Sequence, residues 1–250
     1  MYFDATLPLP PVLAVAAGIA AAATTVGVKS IARPESQFFG QTIVAGKNPA
    51  EVALTFDDGP NGDTTLKLLE LLARHNARAT FFLVGQHVQQ QPEIVRAIHQ
   101  AGHLLGNHTW THPWLVYKTD HTIREELSRC NQAIEEATGA PVRYFRPPHG
   151  ARRWAVLNIA GELGLATVQW NVVAKDWLPI TPEQMLANVN AGLRLAQRKR
   201  EGSNILLHDG DGLHLGADRT KTLQATEALL QHFGEEGRSL TTVDSWDFRV

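Results

Sequence analysis

Thr55-Phe56-Asp57-Asp58-Gly59-Pro60 is the stretch around which the chain is organised. The residues leading into it, Val52-Ala53-Leu54-Thr55-Phe56, form a short, mostly apolar run of β-formers, the pattern of a strand buried on both faces. Gly59-Pro60 stops that strand, because Pro has no N–H for a ladder and Gly opens a turn. Two adjacent carboxylates are left at its carboxyl end. Like charges so placed are costly unless something cationic separates their tasks. A metal ion held by one and a proton handled by the other would do this. An isolated Asp-Asp-Gly is more often a plain turn, so the rest of the chain must decide.

Downstream, helical and strand patterns alternate. Helices are expected over 64–74, 92–101, 122–138, 154–163, 182–199 and 219–233, several opened by Pro or closed by Gly. Strands are expected over 79–84, 103–107, 142–145, 166–173, 204–207 and 240–243, making seven with the first. Such alternation implies an α/β fold with a parallel sheet covered by helices, either an irregular barrel or an open doubly wound sheet. In both, a ligand site belongs at the carboxyl ends of the strands.

A chain of 250 residues holds one large α/β domain. The formal net charge of -2, without a basic stripe, speaks against nucleic acid as a partner. The single cysteine, Cys130, excludes an internal disulfide. Residues 11–28 carry no charge and are closed by Lys29 and Arg33; such a length just crosses a bilayer, although Ala, Gly and Thr make it weakly hydrophobic. A cleaved secretory signal is the rival reading, against which Met1-Tyr2-Phe3-Asp4 is acidic where a basic region is expected. A helix packed on the domain is the third. Lys29 and Arg33 also oppose the positive-inside rule for an exported domain. The expected division is a hydrophobic helical segment over 1–32 serving as membrane anchor or signal, a polar connector over 33–48, and the domain proper over 49–250. A monomer in the cell envelope, anchored or secreted, is expected.

Polar residues collect just past the strands: Asp57 and Asp58; Asn107 to His112; Arg146-Pro147-Pro148-His149-Gly150; Asp176-Trp177; His208-Asp209; and Asp244, Ser245 and Trp246, the last three without an assigned role. His108 and His112 stand four apart, so one helical turn would put both rings on one side. A His-x-x-x-His pair alone is a weak signal in a chain with 11 histidines. With a carboxylate from the first strand it completes a set of two imidazoles and one carboxylate with open coordination positions, the composition of a catalytic zinc or related site. Trp110 and Trp114 are candidates for stacking on a sugar ring, with core packing the competing reading.

These residues, in this order, resemble the polysaccharide deacetylase family, or NodB-homology domain. Five motifs occur in register, TFDDGP, HTWTH, RPPHG, DW and LLHD, and the likeness runs from about Pro49 to Val243. The resemblance implies a distorted (β/α)7 TIM-like barrel. It also implies a metal-dependent hydrolase that removes N-acetyl groups from sugars of a peptidoglycan- or chitin-like glycan. O-acetyl esterase action on acetylxylan-like glycans and a non-catalytic carbohydrate-binding relative are the alternatives. By the same resemblance, Asp57 is the general base, Arg146 the residue holding it, His208 the general acid and Asp176 the carboxylate that tunes the acid. Asp58, His108 and His112 are the ligands of a divalent ion, zinc by default, with cobalt, nickel or manganese as substitutes. Trp177 and Leu206 wall the acetyl pocket, and the backbone N–H of residue 149 meets the oxyanion. His149 departs from the family, which has Tyr or Phe there.

Overall fold

The computed structural model describes residue 31 and residues 33–247. The hydrophobic segment expected over 1–32 lies, apart from Ile31, outside the described residues. Among the described residues no helix is long and apolar enough to cross a membrane.

The elements in chain order are β1 (Glu51–Gly59), α1 (Gly62–Arg74), β2 (Thr80–Leu83), α2 (Gly85–Gln90), α3 (Pro92–Gln100), β3 (Leu104–Asn107), α4 (Asp120–Thr138), β4 (Tyr144–Phe145) and α5 (Trp154–Glu162). Then come β5 (Ala166–Thr167), β6 (Val172–Val173), α6 (Pro182–Lys199), β7 (Ser203–His208), α7 (Thr220–Glu235) and β8 (Ser239–Thr241). The strand pairs among the described residues are all parallel, in the order β5-β4-β3-β2-β1-β7-β6, with β8 beside the first residues of β1. This is the sheet of a distorted, incompletely closed α/β barrel.

Two expectations change. The single strand expected over 166–173 is two short ones, β5 and β6, at the two ends of the sheet. Between them the backbone is bonded elsewhere: the Gln169 N–H donates to Ile43 O at 2.8 Å, and the Gln169 carbonyl accepts from Asn204 Nδ2 at 2.7 Å and Arg146 Nη2 at 3.1 Å. Those side chains replace a ladder. The helix α2 has no counterpart in the sequence reading. It starts directly after β2 on Gly85, where an added Cβ would lie 2.4 Å from the Trp110 ring, so a close approach to that indole requires the glycine.

The pleat of β1 sorts its residues. Val52, Leu54 and Phe56 belong to the large core under the helices, whereas Ala53 joins Phe82, Tyr144, Ala166, Val168, Val243 and Trp246 in a smaller cluster. Thr55 and Asp57 share the face of Ala53 by alternation. Trp246, unassigned above, is buried and donates from Nε1 to Glu51 Oε2 at 2.7 Å, beside the start of β1.

The stretch 33–48, read above as a connector, lies against this body. Phe39 is buried edge-on to Trp154 at 6.0 Å, and Ile43 forms a parallel bridge with Val168. The buried Arg152 guanidinium donates to the carbonyls of Arg33 (2.9 Å), Pro34 (3.0 Å), Ser36 (2.5 Å) and Gly150 (3.0 Å). Those four carbonyls take up the Nη1 and Nη2 donors of a buried cation, while its Nε has no partner among the described residues.

Candidate active site

Adjacent residues of a regular strand point to opposite faces. Here the register slips between Asp57 and Gly59, and Asp58 has φ 76°, so the irregularity redirects its carboxylate. Thr109, His112, His149 and Lys175 also have positive φ without being glycine. Such strain gathers where a site over-determines the backbone. Here it gathers in the loops after the strands.

Asp58, His108 and His112 converge, with one ligand atom from each lying within 4.8 Å of the others. Asp58 Oδ1 is 3.2 Å from His112 Nε2 and 3.5 Å from His108 Nε2, and is buried without a hydrogen-bond partner among the described residues. His108 Nδ1 donates to the Arg146 carbonyl at 2.7 Å, which leaves Nε2 as the lone-pair nitrogen facing the cluster. Burial pulls the His112 imidazole down to about 3, helped by His108 beside it. Burial works the other way on Asp58, but the imidazoles around it, His108 first, bring its carboxyl below the usual range. An anionic carboxylate and neutral imidazole are the states a cation needs. An orphaned, buried carboxylate oxygen beside two imidazole nitrogens fits a divalent ion of the zinc type.

The two histidines do not share a helical turn. Residues 108–113 form an irregular loop, in which the His112 N–H donates to Thr109 Oγ1 at 3.0 Å. Glu126 of α4 pins this loop: Oε2 accepts the N–H groups of Trp110 (2.9 Å) and Thr111 (2.8 Å), and Oε1 accepts the Thr111 hydroxyl (2.7 Å). The sequence reading passed over Glu126. Its signal is a carboxylate on the buried face of an amphipathic helix, between Ile123 and Leu127.

Asp57 sits beside the cluster. Its Oδ1 accepts from Arg146 Nη1 at 2.7 Å and its Oδ2 lies 3.8 Å from His108 Nε2. Arg146 is fully buried, bonds Thr55 Oγ1 at 2.8 Å, and lies over the Phe82 ring at 4.2 Å. On the other flank His208 Nδ1 donates to Asp176 Oδ1 at 2.8 Å, while Asp176 Oδ2 accepts the His208 N–H at 2.7 Å and the Thr222 hydroxyl at 3.1 Å. Burial works against the charged ring, but Asp176 outweighs it and His208 is pushed up to about 9. Burial raises Asp176 in turn, and the charge and hydrogen bonds of His208 bring it below the usual range. Trp177, 49% exposed, stands edge-on to His208 at 5.4 Å. Leu206 is buried two residues before His208, on the same face of β7.

His149 is exposed. Its ring is stacked on Trp114 (3.9 Å, 14°) and edge-on to His112 (4.8 Å, 70°). Burial of part of the ring, with His108 nearby, pulls its pKa below the ordinary value. The two tryptophans separate: Trp110 is 6% exposed beneath the Arg129 guanidinium, whereas Trp114 is 47% exposed.

Asp209 also went without a role in the sequence reading. Its Oδ2 accepts the Thr65 hydroxyl at 2.5 Å, its other oxygen has no partner among the described residues, and burial pushes its carboxyl up to about 7. An added Cβ at Gly59 would lie 2.5 Å from this carboxylate, so Asp209 packs under the turn that follows the Asp pair. The signal was its place beside His208.

A family model described as polysaccharide deacetylase matches residues 45–168. The peptidoglycan-N-acetylglucosamine deacetylase of Bacillus cereus is 33% identical over 198 residues, covering 79% of this chain and 68% of that protein. The chitooligosaccharide deacetylase of Rhizobium leguminosarum bv. trifolii is 34% identical over 206 residues, covering 80% of this chain and 93% of the relative. Among solved structures, a family 4 acetyl xylan esterase from Clostridium thermocellum in complex with a cobalt ion matches with a TM-score of 0.69 and 31% identity, over 78% of this chain and 89% of that one.

Proposed function

The chain belongs to the polysaccharide deacetylase family, and from that premise we propose that it is a metal-dependent hydrolase removing N-acetyl groups from amino sugars of a peptidoglycan- or chitin-like glycan. The observation that carries this reading is the Asp58–His108–His112 cluster with Asp57–Arg146 on one flank and His208–Asp176 on the other.

Asp58, His108 and His112 would hold a divalent ion, zinc by default. When bound, such an ion supplies Lewis acidity that polarises an acetyl carbonyl and acidifies a water. Asp57, held by Arg146, takes a proton from the attacking water as its oxygen bonds to the carbonyl carbon. The backbone N–H of His149 meets the oxyanion. The C–N bond then breaks, and His208 gives its Nε2 proton to the departing amine, leaving acetate and a free amino sugar. Asp176 keeps that ring charged. Trp177 and Leu206 bound the space for the acetyl methyl.

O-acetyl ester cleavage is the second reading, supported by the acetyl xylan esterase among the structural relatives. A non-catalytic role has less support, because base, acid and all three ligands are present together. The uncharged stretch 11–28 supports a place in the cell envelope, where such polymers lie, anchored or secreted; a monomer suffices, since one chain supplies every group named.

Acetate release from chitotetraose, peptidoglycan fragments and acetylxylan, with elemental analysis, tests this. N-acetylated glycans are expected to be cleaved, and Asp58→Ala to lose both metal and turnover. Cleavage of acetylxylan alone, or metal content unchanged in Asp58→Ala, overturns the reading.

A further inference from the structure

The last three carbonyls of β1 find partners of different kinds. Asp57 O accepts the Asp209 N–H at 3.2 Å and Gly59 O accepts the Val84 N–H at 2.9 Å, both from backbone that follows a neighbouring strand. Asp58 O, between them, is bonded by a side chain: His87 Nδ1 of α2 donates to it at 3.1 Å. A carbonyl has no proton to give, so this nitrogen carries the hydrogen. Gly210 crowds the same oxygen, since an added Cβ there would lie 2.2 Å from it. His87 and Asp58 are both buried, where a carbonyl left without a donor is costly. The start of α2 also holds the second loop of the cluster. The N–H groups of Gly85 and Gln86 donate to the carbonyls of Thr109 (2.9 Å) and Trp110 (3.1 Å), between His108 and His112. Val84, Gly85 and Gln86 act through backbone groups that any residue but Pro supplies. His87 acts through its ring.

We propose that His87 is a positioning residue for the metal site: its bond to the Asp58 carbonyl holds the backbone that aims the Asp58 carboxylate at His108 and His112. This rests on the metal-dependent reading above. The carbonyl and the carboxylate belong to one residue, so a backbone rotation that moves one moves the other. At φ 76° Asp58 keeps a conformation that a non-glycine residue holds only when its surroundings over-determine it. Released from His87, Asp58 can relax toward ordinary strand geometry. Its Oδ1 would then leave the two Nε2 atoms that lie 3.2 and 3.5 Å away. His87 is no ligand itself, because the converging set is Asp58, His108 and His112. The rival role is packing alone, and it makes a different forecast: loss of the ring would lower stability and leave metal affinity as it was.

The test is the zinc affinity of the full chain by chelator competition, beside thermal melts of the metal-free protein. His87→Leu keeps bulk without the donor and is expected to bind zinc about 10–100-fold more weakly, the usual worth of a bond that orients a ligand. His87→Asn places an amide N–H near the position of Nδ1 and should recover most of that loss. Val88→Ala removes a buried side chain from the next position and leaves the bond in place. It should lower the melting temperature without changing zinc affinity. A matching loss of affinity in Val88→Ala would make the effect a general loosening of α2 and overturn the inference. If His87→Leu does not fold, His87→Asn and His87→Gln decide, because Gln carries the same amide one methylene farther out. Tighter zinc binding by the Asn variant supports the inference, and any other order overturns it. If the wild type binds zinc and His87→Leu binds it equally, this inference alone fails. If the wild type takes up no zinc, the metal-dependent reading fails and this inference with it.

Discussion

Two imidazoles flank the same cluster, each beside a tryptophan, and they differ most in what lies behind the ring. His208 has a carboxylate behind it, Asp176 at 2.8 Å, and stands edge-on to Trp177. His149 has an indole against its face at 3.9 Å. Burial disfavours the charge on both rings, yet His208 is raised to about 9 and His149 is lowered. The lesson is that proton handling is set by the group behind the ring. An imidazole backed by carboxylate can arrive charged and give a proton away; one without that carboxylate has nothing to outweigh its burial and the neighbouring His108.

The strongest break of this comparison is removal of the backed ring. His208→Ala should lower kcat about 10²–10⁴-fold, the usual worth of a positioned general acid, with metal content unchanged. Steady-state rates and elemental analysis check this. A loss as large in His149→Ala would show that the two rings are not divided as described.

A smaller change leaves the ring and removes only its backing. Asp176→Asn takes away the charge that holds His208 at about 9, so its pKa should fall toward the ordinary 6.5. The acid must be protonated, so the alkaline limb of the kcat profile should move to lower pH, with up to about thirtyfold less activity near pH 8. The same shift is a stability statement with a definite sign. A raised folded pKa contributes stability that is fully present below 6.5 and lost as pH rises through 9. In metal-free protein, denaturant melts of wild type and Asp176→Asn should therefore differ most below 6.5 and converge toward pH 9. An unmoved alkaline limb assigns the charge on His208 to another partner.

Much of this contrast was legible in the chain. Strand-end carboxylates and imidazoles were placed by periodicity and turn residues, because those depend only on neighbours a few positions away. The break between β5 and β6 was not, since Gln169 is drawn from a ladder by Asn204 and Arg146, distant in sequence. Nor was the packing of 33–48, whose Pro, Gly and polar residues read as a connector although Phe39, Ile43 and three carbonyls gathered by Arg152 tie it down. His108 and His112 do converge with Asp58, but on a different backbone: helical spacing suggests one turn, whereas Glu126 and two positive-φ residues hold an irregular loop. Positions 149 and 208 both read as His past a strand. The family resemblance separates them by naming His208 the acid with Asp176 behind it; the spacing does not, because that pairing is a tertiary contact.

The least disruptive change tests the other half of the comparison. His149→Tyr restores the ring type usual in the family and replaces a neutral imidazole with another flat ring, so the stack on Trp114 can persist. If position 149 contributes to the reaction only through its backbone N–H, the side chain is spectator to the chemistry. Losing an oxyanion donor outright costs about 10²–10³ in kcat, so a change under about tenfold on a small acetylated substrate would keep the imidazole out of that role. Metal content should be unaltered, because the converging set is Asp58, His108 and His112 without His149. On oligosaccharides KM should move more than kcat, since Tyr alters the tilt and support of the indole. Loss of metal, or disappearance of a limb of the pH–rate profile that Asp176→Asn leaves in place, would instead make His149 a ligand or a titrating participant, and the division between a proton-handling ring and a spectator ring would have to be redrawn.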